Sequence, residues 1–132
     1  MVLVDTSVLI DYLRGAENEP VKKFESIISD KIVFGINHFI YQEILQGANN
    51  EKEFGVLKSY LEELNFYNLK NKTQSFTDAA KIYFNCRRKG ITIRSTIDLI
   101  IVQTAIENDL YLLHNDNDFD NIAKVISNLR IF

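Results

Sequence analysis

Apolar residues recur along this chain in short blocks whose spacing switches between strand-like and helix-like, and glycine, proline, asparagine and aspartate mark the switches. Met1 to Val4 reads as a strand, and Ser7 to Arg14 as a short helix ended by Gly15. Pro20 suits the first turn of a second helix, with Val21, Phe24, Ile27 and Ile28 at helical spacing. The β-branched stretch from Lys31 to Gly35 predicts a strand, and Asn37 caps a helix running to Gly47. A helix over Glu51 to Leu64 would carry Phe54, Leu57, Leu61 and Leu64 on one face, ahead of a strand over Phe66 to Leu69. Ala79, Ala80, Ile82, Tyr83 and Cys86 continue a helix that stops at Gly90. Ile97 to Asn108 predicts a strongly apolar helix, Leu110 to Leu113 a strand, Phe119 to Ile126 a helix and Leu129 to Phe132 a final strand.

Strands alternating with helices predict an α/β fold, a three-layer α/β/α sandwich around a mostly parallel sheet. The 132 residues hold no repeat, no low-complexity tract and no Gly/Ser/Pro linker, so one domain over 1–132 is expected. In such sheets ligands bind beyond the carboxyl ends of the strands.

Four acids interrupt this pattern. Asp5 ends the first strand, Glu43 lies among Ile40, Ile44 and Leu45, Asp98 opens an apolar helix, and Asp116 follows Tyr111-Leu112-Leu113. The strand rule puts Asp5 and Asp116 at the carboxyl edge; Asp98 falls in a first helical turn, and Glu43 shares a face with residues expected to be buried and so points inward. A charge beside hydrocarbon costs free energy unless neutralised, and several like charges have one inexpensive common neutraliser, a divalent cation. Oxygen-only ligands select hard ions, Mg²⁺ or Mn²⁺, over zinc. Each acid also has an ordinary use. Asp5 or Thr6 suits a helix cap, Ser95-Thr96-Ile97-Asp98 matches a capping box, Asp116, Asp118 and Asp120 suit Asx turns, and Glu43 suits a buried ion pair.

The run Val4-Asp5-Thr6-Ser7-Val8-Leu9-Ile10, the segment Glu43-Ile44-Leu45-Gln46-Gly47-Ala48, the block Gly90 to Asp98 and the closing Leu112-Leu113-His114-Asn115-Asp116-Asn117-Asp118-Phe119 resemble the PIN-domain ribonucleases, and more closely the VapC toxins of prokaryotic toxin–antitoxin pairs. The likeness spans essentially the whole chain, in order. It implies a PIN-like fold and metal-dependent endonucleolytic hydrolysis of RNA, with Asp5, Glu43, Asp98 and Asp116 as the catalytic, metal-binding acids. Asp118 matches an additional acid of many members, and Thr6 a hydroxyl beside the metal; Ser95, at the start of the Asp98 helix, is the other candidate to support the ligands. The resemblance also implies a small antitoxin protein as partner, and a homodimer. Where many relatives place a threonine before the last acidic pair, this chain has His114-Asn115, which leaves the hydrogen bonding of Asp116 open.

Composition narrows the setting. Cys86 is the sole cysteine, which fits a reducing, cytoplasmic compartment and a thiol that packs. Asp5 interrupts the opening apolar run before a signal-peptide core could form, and no stretch approaches the roughly 20 apolar residues of a membrane span. A net charge of −3 does not exclude RNA, because a cluster of metal-binding acids hides local positive fields. Arg94, Arg87 and Arg88, with Lys89, are the candidate phosphate contacts, and Tyr83, Phe84 and Phe119 the candidate stacking surfaces. The plain alternatives are a basic helix end compensating its dipole and aromatics packing the core. His114 reads most simply as an exposed turn histidine, and Asp11 and Asp109 as solvated charges.

Three other functions share parts of this pattern. A phosphoacceptor signalling domain would need an adjacent acid pair after the first strand, and a haloacid-dehalogenase-type phosphatase a second aspartate where Ser7 stands. A non-catalytic PIN module that binds RNA or protein would have no need of all four acids.

Overall fold

The structure, a computed structural model, describes Met1–Phe132. Its elements alternate as the pattern predicts: β1 (Val2–Val4), α1 (Thr6–Leu13), α2 (Glu19–Ser29), β2 (Phe34–Ile36), α3 (His38–Gln46), α4 (Glu51–Glu62), β3 (Asn65–Phe66), α5 (Thr73–Arg88), α6 (Thr96–Glu107), β4 (Tyr111–Leu113), α7 (Asn117–Val125) and β5 (Arg130–Ile131). The strands form one sheet in the order β3-β2-β1-β4-β5, and every pairing is parallel.

Handedness then fixes the layers. Right-handed crossovers from β1 to β2 and on to β3 travel one way along the sheet, whereas those from β3 to β4 and on to β5 travel the other. They therefore place α1 to α4 on one face and α5 to α7 on the opposite one. The contacts agree: α1 packs on α2 and α3, α3 on α4, and α5 on α6 and α7. The direction of winding reverses between β1 and β4, the place where α/β folds open a crevice at the carboxyl edge.

Burial explains the sequence of the central elements. β1 lies mid-sheet and is covered on both faces, so Val2, Leu3 and Val4 are all buried, an unbroken apolar run rather than an alternating one. Helix α6 is buried from Leu99 through Ala105, which is why it is apolar all round. The two polar side chains in that span are satisfied: Thr104 Oγ1 donates to the Ile100 carbonyl at 2.7 Å, and Gln103 Nε2 to Glu107 Oε1 at 3.1 Å.

Four expected boundaries move, each for a local reason. The strand expected at Lys31–Gly35 begins at Phe34, because Lys31 adopts φ 55° and the Ile32 N–H closes back on the Ile27 carbonyl at 2.9 Å, ending α2. The strand expected at Phe66–Leu69 is the edge pair Asn65–Phe66, limited by its register with Gly35 and Ile36. The last strand shrinks to Arg130–Ile131, which pairs only with Tyr111 and Leu112. The final helix begins two residues before Phe119, because Asp116 caps it. Helix α4 buries Leu61, yet Phe54 on the expected inner face is 41% exposed.

Candidate metal centre

Three chain segments bring the acids to the β1–β4 switch. Asp5 leaves β1 with its own N–H bound to the Leu113 carbonyl of β4 at 2.9 Å, so the first and fourth strands are joined at the residue that carries the carboxylate. Asp5 also caps α1, its Oδ2 accepting the Ser7 N–H at 3.1 Å and the Ser7 hydroxyl at 2.6 Å. Asp116 caps α7 in the same way, accepting the Asp118 N–H at 2.9 Å. Capping and ligation are thus compatible uses of these two side chains, since each cap bond engages one carboxylate oxygen.

Asp98, Asp116 and Asp118 each present a carboxylate oxygen within 4.8 Å of the others. At that separation two carboxylates repel by roughly 3–4 kcal/mol at an effective dielectric of about 20. The Asp98 carboxylate has no hydrogen-bond partner, since the capping box read from Ser95 to Asp98 does not form and the Ser95 side chain makes no cap bond. Burial first, and then the charges of Asp5, Asp116, Asp118 and Glu43, push the Asp98 carboxyl up to about 7. Asp5 is buried, which raises its carboxyl against the lowering effect of its bonds to Ser7. Positive charge does not offset this arrangement from within: the one cation among the acids is Arg94, whose Nε stands 3.4 Å from Asp118 Oδ2 on a side chain that is 79% exposed. An all-oxygen set, mutually repelling and incompletely satisfied, fits a hard divalent cation.

Glu43 approaches from the other helical layer. It does not enter the tight group of three, nor is its side chain buried as its neighbours suggested. The residue is exposed, and only its carboxylate end is held, Thr6 Oγ1 donating to Oε1 at 3.3 Å. No lysine or arginine pairs with it, so the buried ion pair is not what it makes. Partial burial and then Asp5 raise its pKa, while the Thr6 bond lowers it.

His114 is not an exposed turn histidine. Its side chain is 6% exposed, its ring packs on Phe119, Nδ1 accepts the Asp116 N–H at 3.1 Å, and Nε2 faces Asp120 Oδ1 at 3.2 Å. An acceptor Nδ1 places the proton on Nε2, so a neutral ring donates to Asp120 and holds the Asp116 backbone. This answers the question left by the departure at 114–115. Phe119 is fully buried and belongs to the core, not to a stacking surface. Arg88 and Lys89 lie beside Val125 and Ile126, at the far end of α7 from Asp116 and Asp118, and Arg87 lies over Tyr83. Of the basic candidates, Arg94 alone touches the acids.

Several supporting residues carry no mark in the sequence. The Ser7 hydroxyl accepts the Asn115 N–H at 3.0 Å, and Asn115 Nδ2 donates to Asp11 Oδ2 at 3.1 Å. Asp11, which reads as a surface charge, also receives Asn18 Nδ2 at 3.0 Å and so ties the β4–α7 loop to α1 and to the start of α2. The one signal that could point to Ser7 is a hydroxyl two residues after an acid at a strand end; Asn115 and Asp11 carry none.

The family profile described as PIN domain matches residues 2–125. This chain belongs to the PIN domain family. Among its relatives, ribonuclease VapC11 of Mycobacterium tuberculosis and a VapC ribonuclease of Mycobacterium bovis are each 32% identical over 126 residues, covering 95% of this chain and 93% of theirs. The PIN fold found here is also that of solved structures with lower identity. The VapBC2 complex of Rickettsia felis bound to a promoter DNA fragment contains a chain that aligns with a TM-score of 0.75 at 17% identity, covering 100% of this chain and 98% of that one. FitAcB of Neisseria gonorrhoeae aligns at 0.72 with 20% identity, covering 100% and 96%.

Proposed function

We propose that this PIN-domain chain is a metal-dependent endoribonuclease and the toxin of a toxin–antitoxin pair, hydrolysing RNA with a water molecule and no covalent enzyme intermediate. The observation that carries the reading is Asp98, a half-buried carboxylate with no hydrogen-bond partner facing four other acids. Relatedness to proteins named VapC ribonucleases at 32% identity supports the same activity.

Asp98, Asp116 and Asp118 would hold Mg²⁺ or Mn²⁺, with Asp5 supporting them from the end of β1 and Ser95 at the entrance to α6. When bound, such an ion makes a coordinated water more acidic and offsets the charge that grows on the phosphate. Glu43, steadied by Thr6, would accept the proton of the attacking water; the water oxygen bonds to phosphorus as the bond to the leaving ribose oxygen breaks, and that oxygen takes up a proton from solvent. Arg94, held loosely by Asp118 and otherwise exposed, is free to swing onto a phosphate.

An apolar groove of about 270 Å³ between α1, α3 and α4, lined by Ile10, Leu13, Ile44, Val56 and Leu57, offers a seat for an apolar antitoxin segment. A homodimer and cytoplasmic action belong to the same reading. No helix is long and apolar enough to cross a membrane.

The test is purified protein with a mixed RNA pool in Mg²⁺, Mn²⁺ or EDTA. Internal cuts are expected with either cation and none with chelator, and Asp98→Asn is expected to abolish cleavage without unfolding. Cleavage at the parent rate in EDTA, or by Asp98→Asn, overturns the proposal. The other surviving reading, a binding module without catalysis, predicts no cut under any condition.

A further inference from the structure

Helix α5 carries a concentration of positive charge that the acidic site does not explain. Residues 72–89 hold Lys72, Lys81, Arg87, Arg88 and Lys89 against the single acid Asp78, in a chain whose net charge is −3. The helix buries Ser75, Ala79, Ile82 and Cys86 against its neighbours, which leaves Phe84 on the outer face at 44% exposure. Two cations lie over that phenylalanine's ring, Lys81 Nζ at 4.7 Å and Arg88 Cζ at 5.6 Å from its centre. Both cations are on long, exposed side chains, so either can swing off the ring onto a phosphate and leave an aromatic face for a base to stack on.

Helix α7 links these cations to the acids. Arg88 and Lys89 sit at the C-terminal end of α7, and Arg94 sits at its N-terminal end against Asp118. The intervening segment is pinned by Ile93, which is buried, so the basic positions are fixed along the nine residues of α7, a length of about 13 Å. A few extended nucleotides bridge that distance.

We propose that the C-terminal half of α5, centred on Phe84, Lys81 and Arg88, binds single-stranded RNA flanking the cleaved bond and leads it along residues 89–94 to Arg94. The proposal rests on the endoribonuclease reading only for what happens at the end of the track. A flexible, base-bearing polyanion is favoured over an acidic protein because the ring offers a stacking face as well as charge.

The test is fluorescence anisotropy with a fluorescein-labelled 12-nucleotide unstructured RNA in EDTA, where cleavage is off, using the full-length protein. Phe84→Ala is expected to weaken binding about tenfold, and Phe84→Tyr to bind as the parent does. The double variant Lys81→Ala/Arg88→Ala is expected to flatten the salt dependence by about 1.4 in the log–log slope, two phosphate contacts' worth for a single strand. Lys58→Ala, an exposed cation on α4, is the control and is expected to change nothing. The changed side chains are exposed, and a thermal melt verifies folding of each variant; if Phe84→Ala failed to fold, the double variant would decide. Parent-like affinity in the folded variants, or competition by polyglutamate as effective as by RNA, overturns the proposal. Cleavage in Mg²⁺ is scored separately. A parent protein that binds through α5 but never cuts sinks the nuclease reading and leaves the track standing, whereas cutting with undisturbed binding in the α5 variants does the reverse.

Discussion

Ser7 and Asn115, 108 positions apart, meet across the winding switch: the Asn115 N–H donates to Ser7 Oγ at 3.0 Å while that hydroxyl donates to Asp5 Oδ2 at 2.6 Å. One small side chain thereby satisfies the buried carboxylate after β1 and positions the loop that carries Asp116.

Ser7→Ala removes both bonds, leaving the buried Asp5 carboxylate with the residue-7 backbone N–H as its remaining donor and turning the Asn115 N–H to water. A loss of about 1–3 kcal/mol in stability is expected, measured by urea unfolding of the metal-free protein, together with reduced cleavage. An unchanged urea midpoint would show that water replaces the hydroxyl and that Ser7 does not organise the site.

Asp98 sets the pH behaviour. Its folded pKa, raised to about 7, exceeds the ordinary value of 3.8, so the folded protein holds more protons than the unfolded chain between those limits. The metal-free protein should therefore lose stability as pH rises from about 4 to about 7, and Asp98→Asn should reduce that slope, leaving the part that the raised Asp5 and Glu43 carboxyls contribute. Because the group is half exposed, solvent screening discounts the loss at pH 7.5 to about 1 kcal/mol, or a few degrees in Tm. A slope unchanged in Asp98→Asn would contradict the assignment.

Cation affinity should rise across the same range, because the ion must displace the Asp98 proton. Calorimetric titration with Mn²⁺ is expected to show binding tighter at pH 8 than at pH 6, with release of up to one proton per site at the lower pH. Affinity independent of pH would mean that Asp98 is not a ligand.

His114 holds Asp116 through its backbone, so its removal should loosen the cation rather than the fold. His114→Ala is expected to weaken Mn²⁺ binding about tenfold or more, with partial rescue in His114→Asn, whose amide oxygen can accept the Asp116 N–H. Equal affinities for parent and His114→Ala would assign the histidine to packing against Phe119 alone.

Glu43→Gln separates charge from position, since the amide retains an acceptor for Thr6. Cleavage should fall about 10²-fold or more while the thermal midpoint holds steady, the signature of a proton acceptor rather than a structural strut. A lowered midpoint with normal turnover would reverse that assignment.

The alternation of strands and helices, the helix caps at Asn37 and Asp5, and the identity of the acids were legible in the amino-acid order, because each rests on local physics: residue periodicity, short side chains that bond their own backbone, and glycine at positive φ. Gly15 and Gly90 end helices at φ 75° and 79°, as their places in the pattern imply. The sequence also placed charge where apolar neighbours made it expensive, which was enough to suspect a cation. Tertiary structure decided the rest. Whether Ser95 and Asp98 form a capping box, whether Glu43 is buried, and whether His114 faces water depend on what other segments occupy the surrounding space. Nothing within a few residues of Asp98 reveals that Asp5, Asp116, Asp118 and Glu43 converge on it. That convergence follows from parallel strands reversing their winding direction between β1 and β4, a relation among segments more than 100 residues apart that no local spacing encodes.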